Sequence, residues 1–368
     1  MNVAADNTDE ALPELSVVHW GQFSGTVPML EPLLRAKTRA SFHDLAVLTR
    51  SPRLLPSRAV AHMATTGRAG PWYKTGIWSK AIQAETLRNR WVAPNRPTLF
   101  MQTLAAPVLS SEHRYAVYTD RVAREGANVP GEHHSTWGTG WAAREEQFLR
   151  GASAVFVMGP STTDALVDMY RLDPSKVHLV GAGPGSATGE IGRETRPPTK
   201  ILFVGTNWNL KGGPDVVAAF AGIREEFDGV ELILVGSDPG PEPLPSGVRG
   251  RGRVPAEEMP RLFAEADMFV VPTYMEALGY SLLEALMHGL PAIGSTVGNQ
   301  AWLIGEAGLT VEAGNRREIQ EAMVSMLEDH ADFKRRAIDR AEELRRTMTW
   351  ERVASSIVDI FVAPEGDG

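Results

Sequence analysis

Two glutamates on either side of a glycine are the residues of this sequence whose types and spacing first suggest chemistry. They are Glu276 and Glu284, with Gly279 between them. The apolar run before them, residues 266–272, predicts a buried strand of a parallel sheet. The segment SLLEALMHG after Gly279 predicts a helix that ends at Gly289. The two carboxylates, one in the loop after this strand and one on the helix, are candidate ligand-binding groups.

The order strand, loop, helix also predicts an anion site. Glu276 falls in the loop at the carboxyl end of a strand, where open α/β sheets bind their ligands. The free backbone N–H groups at the start of the following helix suit a phosphate. They belong to Ala277, Leu278, Gly279 and Tyr280. Glu284 lies one turn beyond Tyr280 on the same helix face. The alternative for Glu284 is a solvent-facing side chain in an ordinary βα unit.

A second anion-binding loop is predicted at GTNWNLKGGP, after the apolar residues 201–204. Lys211 lies between this strand and a helix that starts near Pro214, so its ammonium group could meet a phosphate at the helix N-terminus. Thr206 and Asn207 could donate neutral hydrogen bonds to the same group. A solvated surface lysine is the alternative.

Together these residues resemble a known family. The stretch EALGYSLLEALMHGLPAIGS resembles the donor-site signature of retaining glycosyltransferase family 4, the group 1 glycosyltransferases. The resemblance implies the α/β GT-B fold, in which two Rossmann-like domains face a central cleft. It implies a nucleotide-diphosphate sugar as substrate, retention of anomeric configuration, and neither a cofactor nor a metal. It covers residues 141–362 well and residues 15–140 only in layout.

The resemblance also implies roles for single residues. Glu276 would meet the donor-sugar hydroxyls near the reacting carbon, and Glu284 the ribose hydroxyls of the nucleotide. Arg253 and Val254 match the place where family members contact the nucleobase through backbone atoms. Gly25 lies in a glycine-bearing loop that would approach the donor phosphate from the other side of the cleft.

Polar residues of the N-terminal half are harder to assign. Asp120 ends the predicted strand HRYAVYTD, where many family members have an Asp or His, so it is a candidate catalytic or acceptor-side residue. Its alternative is a helix cap. Ser161 is predicted to cap the helix that follows Pro160. We expect no metal at His133 and His134, because no suitably spaced third ligand accompanies them.

The Lys211 loop departs from the family pattern. Related sequences commonly carry Arg directly before the lysine of the loop or earlier in the loop, whereas this chain has Leu210 and Thr206 at these two places. A charge-assisted hydrogen bond contributes about 1.5–3 kcal/mol, so its loss would weaken donor use about tenfold or more. The departure keeps open a non-catalytic pseudo-glycosyltransferase that acts as a partner or regulatory subunit. A third reading is an epimerase that uses a nucleotide sugar without an acceptor.

Length and local composition predict the domain organisation. The 368 residues suit two domains. We expect an acceptor domain at residues 1–180, a Gly- and Pro-rich linker at 181–200, a donor domain at 201–345, and a helix at 346–368 that returns to the first domain. The acceptor is a small molecule, a glycan or a lipid-linked molecule, and no nucleic acid partner is expected.

Charge is distributed unevenly over the chain. The net charge is −8, yet residues 35–96 contain twelve Lys and Arg and two acids. The helix predicted at GIWSKAIQAETLRNRWV, which includes Trp78 and Ile82, either packs on its own sheet or forms a basic, aromatic surface for an anionic membrane. Residues 42–50 are predicted as a strand and residues 51–75 as irregular. The sequence has no cysteine, a polar start and no apolar run of about 18 residues, so we expect a cytoplasmic protein, with peripheral membrane contact under the second reading.

Overall fold

Short apolar runs form twelve strands among the residues that the computed structural model describes. It describes residues 12–21, 25–65, 75–103, 106–126, 141–186, 188–192, 197–236 and 244–363. The strands are β1 (Glu14–His19), β2 (Arg39–Asp44), β3 (Thr98–Met101), β4 (Tyr115–Thr119), β5 (Ala154–Val157), β6 (Val177–Leu179), β7 (Lys200–Val204), β8 (Glu231–Val235), β9 (Val248–Gly250), β10 (Met268–Val271), β11 (Ala292–Ser295) and β12 (Gly308–Val311).

These strands make two all-parallel sheets of six strands each. The first has the order β2-β1-β3-β4-β5-β6 and the second the order β12-β11-β10-β7-β8-β9. All residues of β3, β4, β5, β10 and β11 are buried, as in parallel sheets covered on both faces. The predicted fold, two Rossmann-like α/β domains facing a central cleft, is confirmed. The exact domain boundaries stay a prediction.

Helices connect the parallel strands and cover both sheets. They are α1 (Val27–Lys37), α2 (Leu45–Leu48), α3 (Leu55–Thr65), α4 (Gly76–Arg88), α5 (Trp141–Gly151), α6 (Pro160–Asp164), α7 (Gly213–Ile223), α8 (Met259–Glu265), α9 (Tyr280–Met287), α10 (Gln300–Ile304), α11 (Arg316–Glu328), α12 (His330–Thr347) and α13 (Trp350–Ile357). The segments that continue α6 and α13, Ala165–Met169 and Val358–Val362, have π-helical hydrogen bonding.

The C-terminal segment makes contacts on the first sheet's side of the molecule. Helix α13 packs against α1. The indole N–H of Trp350 donates a 2.8 Å hydrogen bond to the carbonyl of Pro184, and this side chain is 7% exposed. Further on, the Phe361 ring lies under the guanidinium of Arg114, 5.2 Å from its carbon. The C-terminal segment therefore contacts two separate segments, one at Pro184 and one at Arg114.

Three local predictions were wrong. Residues 42–50 are not one strand, because the Asp44 carboxylate accepts a 2.8 Å hydrogen bond from the amide of Ala46 and starts α2. Within residues 51–75, predicted to be irregular, α3 forms from Leu55 to Thr65. Ser161 does not cap α6: the N-cap residue is Gly159, without a side-chain hydrogen bond, and Ser161 is already inside the helix.

The contact of Trp350 gives a stability prediction. Replacing Trp350 with Ala removes a buried aromatic side chain and leaves the Pro184 carbonyl without its donor, so we expect the free energy of unfolding to fall by about 3–5 kcal/mol. Urea unfolding followed by circular dichroism measures this change.

Trp350→Phe is the matched control, since it keeps most of the ring and removes the hydrogen bond. We expect it to cost about 1–2 kcal/mol. Equal losses for the two variants would show that ring packing contributes little here.

Candidate functional site

The loops after β7 and β10 meet at the point where the strand order of the second sheet reverses. From β7 the chain runs outward through β8 to β9, and it then returns to place β10 on the other side of β7. Open α/β sheets bind ligands in the crevice at such a switch point, beyond the carboxyl ends of the strands. Lys211 lies in the first of these loops and Glu276 in the second. The topology therefore brings the two predicted donor-site loops together.

Backbone contacts hold these loops at a fixed separation. The carbonyl of Leu210 accepts hydrogen bonds from the Tyr274 amide at 2.8 Å and from the Thr273 hydroxyl at 2.9 Å. Gly212 has a φ of +76°, and a Cβ added there would lie 2.5 Å from the carbonyl oxygen of Pro272. Only glycine fits both the left-handed backbone and this close approach. The predicted glycine-flanked loop is thus shaped by its contact with the neighbouring loop.

Lys211 and Glu276 form an ion pair inside the crevice. The ammonium group donates to Oε2 of the carboxylate, and the two side chains are 19% and 14% exposed. Partial burial weakens screening by solvent, so each charge depends on the other more than a surface pair does. The pair joins a potential phosphate-binding cation to a potential hydroxyl-binding carboxylate.

Helix α9 begins beside this pair. Its N-cap residue is Gly279, with a φ of +95°, and no side chain caps the helix among the residues described. The amide of Ala277 lies 3.3 Å from Oε1 of Glu276. Leu278 has a buried side chain, so only its backbone could serve a ligand. The start of α9 thus offers backbone dipoles next to Lys211, as an anion site requires.

Asp120 follows β4 and faces the crevice from the first domain. A side-chain hydrogen bond joins it to Gln102, at the end of β3. Burial raises the pKa of the Asp120 carboxyl above its ordinary value, the Gln102 contact opposes this rise, and the nearby charge of Glu276 adds to it. Burial also raises the pKa of the Tyr280 hydroxyl, with a contribution from Asp120. The two domains therefore present their carboxylates to the same space.

Glu284 is held by the connection between the two sheets. Its Oε1 accepts hydrogen bonds from the Ser186 amide at 2.6 Å and the Ser186 hydroxyl at 2.7 Å, and the residue is 8% exposed. Burial raises the pKa of its carboxyl, and the Ser186 hydrogen bonds oppose the rise. Its role with a nucleotide ribose stays a prediction.

Asn299 links the two domains next to the site, a role that the sequence did not predict. Its Nδ2 donates to the Ala277 carbonyl at 2.7 Å, and its Oδ1 accepts from the Ser161 amide at 2.9 Å. A Cβ added at Gly159 would overlap the Asn299 amide group, 2.3 Å away. A buried amide that satisfies backbone groups on both sides fixes the distance between α6 and the Glu276 loop.

Other predicted donor residues lie on the rim of the crevice or beyond it. Thr206 and Asn207 are exposed in the β7–α7 loop, where the Asn207 side chain accepts from the Leu210 amide at 3.2 Å. Arg253 is exposed and Val254 half-buried beyond β9. Gly25 is exposed just before α1. Their contacts with a donor stay predictions.

The structure adds residues that no motif marked. Tyr274 donates to Asp215 at 2.8 Å, and Asp215 also accepts from Arg316 at 2.8 Å, which joins the Glu276 loop to α7 and α11. Gln102 has a φ of +76°, a strained conformation for a residue other than glycine. A conformational outlier beside Asp120 fits a functional position, and no local sequence pattern indicates it.

The metal prediction concerns residues outside the description. His133 and His134 fall in the interval 127–140, which the structure does not describe. Among the residues that it does describe, no group of three or more His, Asp or Glu side chains could hold a metal ion.

Comparisons with known proteins identify the class. The solved structure of sucrose-phosphate synthase from Thermosynechococcus elongatus superposes with a TM-score of 0.68 over 95% of this chain and 98% of that chain, at 17% identity. That likeness establishes the fold, that of the GT-B glycosyltransferases. The family model "Glycosyl transferases group 1" matches residues 198–329, the stretch that contains both site loops. This part of the chain therefore matches the group 1 glycosyltransferases, in agreement with the family predicted from the Glu276 segment.

Curated relatives agree with this result. Glycogen synthase of Mycobacterium tuberculosis is 24% identical over 248 residues, which cover 62% of this chain and 60% of that protein. D-inositol 3-phosphate glycosyltransferase of Corynebacterium glutamicum is 27% identical over 246 residues, 59% of each chain. The chain therefore matches about 60% of the length of these relatives.

Burial of Glu284 predicts a pH dependence of stability. Because its folded-state pKa lies above the ordinary value of 4.5, the native state binds the proton more tightly than the unfolded state. This contribution to stability is therefore present at low pH and declines as pH rises above 4.5. Glu284→Gln keeps an oxygen for Ser186 and cannot ionise, so we expect its melting temperature relative to wild type to increase from pH 4.5 to neutral pH.

The exposed Glu257 supplies the control, since Glu257→Gln also removes one carboxylate. A relative melting temperature for Glu284→Gln that stays flat or declines with rising pH would contradict the prediction.

Proposed function

We propose that this protein transfers a sugar from a nucleotide-diphosphate sugar to an acceptor held by the N-terminal domain. The observation that carries the proposal is the meeting of Lys211 and Glu276 beside the start of α9. These residues lie 65 positions apart in the chain, yet the loops that carry them are joined directly by hydrogen bonds. The group 1 family match and the enzymes among the relatives support it. They do not favour the non-catalytic alternative.

Each group in the crevice has a part in this reaction. Cleavage of the bond to the sugar leaves negative charge on the diphosphate, which a cation and backbone dipoles stabilise. Lys211 supplies the cation, and the N–H groups from Ala277 to Tyr280 supply the dipoles. Glu276 is free to accept hydrogen bonds from sugar hydroxyls once the diphosphate engages Lys211. The donor thus replaces one partner of the resting ion pair.

The first domain contributes the acceptor side. Asp120 lies across from Glu276, close enough for the two charges to interact. Its raised pKa favours a carboxyl that can hold a proton, as acid–base chemistry at a hydroxyl acceptor needs. Retention of anomeric configuration and independence of a metal complete the proposal and come from the family resemblance. Nuclear magnetic resonance of the product anomer and activity in the presence of a chelator test these two points.

Substitution of Lys211 tests the donor site. Lys211→Ala removes a charge-assisted contact of about 1.5–3 kcal/mol, so we expect kcat/KM for the donor to fall about ten- to a hundredfold. The measurement is sugar transfer or donor hydrolysis with a panel of UDP, GDP and ADP sugars.

Lys200→Ala is the matched control, because Lys200 begins β7 and the loop that carries Lys211 follows the other end of that strand. We expect wild-type kinetics from it. If Lys211→Ala also behaves like wild type with every active donor, the site is assigned wrongly.

We further propose that the acceptor side docks on an anionic membrane through α2, α3 and the start of α4. Trp78 and Ile82 are fully buried, so they belong to the core and not to a surface. Other large apolar side chains of these three helices are exposed instead. They are Val47, Leu55, Val60, Met63 and Ile77.

Charge on the same face fits anionic lipid. Arg50, Arg53, Arg58 and Lys80 are exposed among these apolar residues. A cavity of about 610 Å³ between α3 and α4 is lined by residues that include Arg53 and Arg88. Exposed apolar side chains with surrounding cations are the features of an interfacial membrane surface. No helix within the described residues is long and apolar enough to cross a bilayer.

Vesicle flotation tests the membrane surface. We expect the protein to float with vesicles that contain phosphatidylglycerol and to remain unbound with phosphatidylcholine alone. Leu55→Ser combined with Met63→Ser should reduce binding several-fold, since each exposed apolar side chain inserted contributes to the affinity.

Ile360→Ser changes an exposed apolar residue elsewhere and serves as the control. Equal flotation of wild type with both kinds of vesicle would end this proposal.

A further inference from the structure

The side chain of Arg121 is poorly satisfied in the crevice between the domains. This residue follows Asp120, and its Nη1 lies 2.7 Å from the sulfur of Met275, in the loop of Glu276. Its Nη2 is buried and has no hydrogen-bond partner among the described residues. A thioether is a weak acceptor, and a buried donor without a partner costs free energy. The guanidinium therefore has donors, beside the Glu276 loop, that a better acceptor could use.

The backbone around Arg121 is held on both sides. The Thr119 hydroxyl donates to the Arg121 carbonyl at 2.8 Å. The Thr162 hydroxyl donates to the Asp120 carbonyl at 2.8 Å, and the Glu125 carboxylate accepts from the Val122 amide at 2.6 Å. Fixed neighbours on each side restrict where the guanidinium can go. The contact of the Arg121 side chain with Met275 of the second domain therefore depends on the packing of this loop.

Charge balance indicates what this group binds. The crevice contains the carboxylates of Asp120 and Glu276, and Arg121 favours the charged forms of Asp120 and Glu125 without a direct ion pair to either. Lys211 is already paired with Glu276. A diphosphate that enters this space brings further negative charge. Leu210, the neighbour of Lys211 in its loop, has no positive charge to balance it. Arg121 is the cation that lies beside the Glu276 loop on the side of the first domain, where it would balance this charge.

We propose that Arg121 is a donor-binding residue that contacts the diphosphate from the first domain, replacing its contact with Met275 when the donor binds. The proposal rests on the proposed function. Guanidinium groups bind phosphates through two parallel hydrogen bonds, which the free Nη2 and the weakly bonded Nη1 could form. Because Arg121 comes from the opposite domain, a diphosphate bound beside Lys211 would be contacted from both sides of the crevice.

Nucleotide binding tests the proposal. Calorimetry with UDP, GDP and ADP identifies the diphosphate that wild type binds, and the matching monophosphate is then measured. We expect Arg121→Met to weaken binding of the diphosphate about tenfold or more, and binding of the monophosphate by less than about threefold. Leu210→Arg added to Arg121→Met should restore part of the loss, because it supplies a cation to the same group.

Controls separate the possible outcomes. Arg124→Met changes a nearby arginine that pairs with Glu146, and it should bind both nucleotides like wild type. Diphosphate affinity in Arg121→Met equal to that in Arg124→Met would overturn the inference, as would a double variant no tighter than Arg121→Met. An unchanged diphosphate affinity with a raised acceptor KM would assign Arg121 to the acceptor and also overturn it.

The two proposals fail in different ways. Absence of binding by wild type to all three diphosphates would count against the proposed function. If Lys211→Ala weakens diphosphate binding and Arg121→Met does not, the proposed function is retained and only the role of Arg121 is rejected.

Discussion

The carbonyl of Leu210 accepts two hydrogen bonds on which the geometry of the site depends. One comes from the Thr273 hydroxyl and one from the Tyr274 amide, so the loops after β7 and β10 cannot move independently. Lys211 and Glu276, which form the ion pair, lie one and two residues beyond these hydrogen-bonded positions. Position 210 accepts these two bonds through its backbone carbonyl, which every residue type carries. Side-chain variation at position 210 is therefore compatible with an intact loop.

The two halves of the site are held by different kinds of interaction. Backbone hydrogen bonds and glycines fix the loops of the second domain, whereas a buried carboxylate organises the loops of the first domain. Glu145 is 1% exposed and accepts from the Thr103 hydroxyl, the Ala123 amide and the Tyr170 hydroxyl. These three donors come from separate segments, which Glu145 joins behind Asp120. A fully satisfied buried network of this kind favours one arrangement of the loops over others.

Sequence could predict what local patterns encode. The strand, loop and helix around Glu276, and the glycine-flanked loop of Lys211, follow from short-range hydrophobic runs and glycine positions, and their meeting follows from sheet topology. Asn299, Gln102 and Arg121 could not be found in this way, because their importance arises from contacts with distant segments. The error at Ser161 has a related cause: a serine near a helix start fits a cap locally, but its amide is bonded to Asn299 and the chain enters the helix at Gly159.

The chain passes between the two sheets at two places, and these places lie side by side. The first connection leaves β6 and includes Gly181 and Pro184, and the second runs from Met348 to Trp350, which touch those two residues. Two adjacent connections between rigid domains act as a hinge. They resist twisting and sliding of one domain against the other and leave rotation about a single axis. Opening of the crevice then breaks the Asn299 hydrogen bonds to Ser161 and Ala277 and reduces to one angle, which a single pair of distance labels across the crevice would follow.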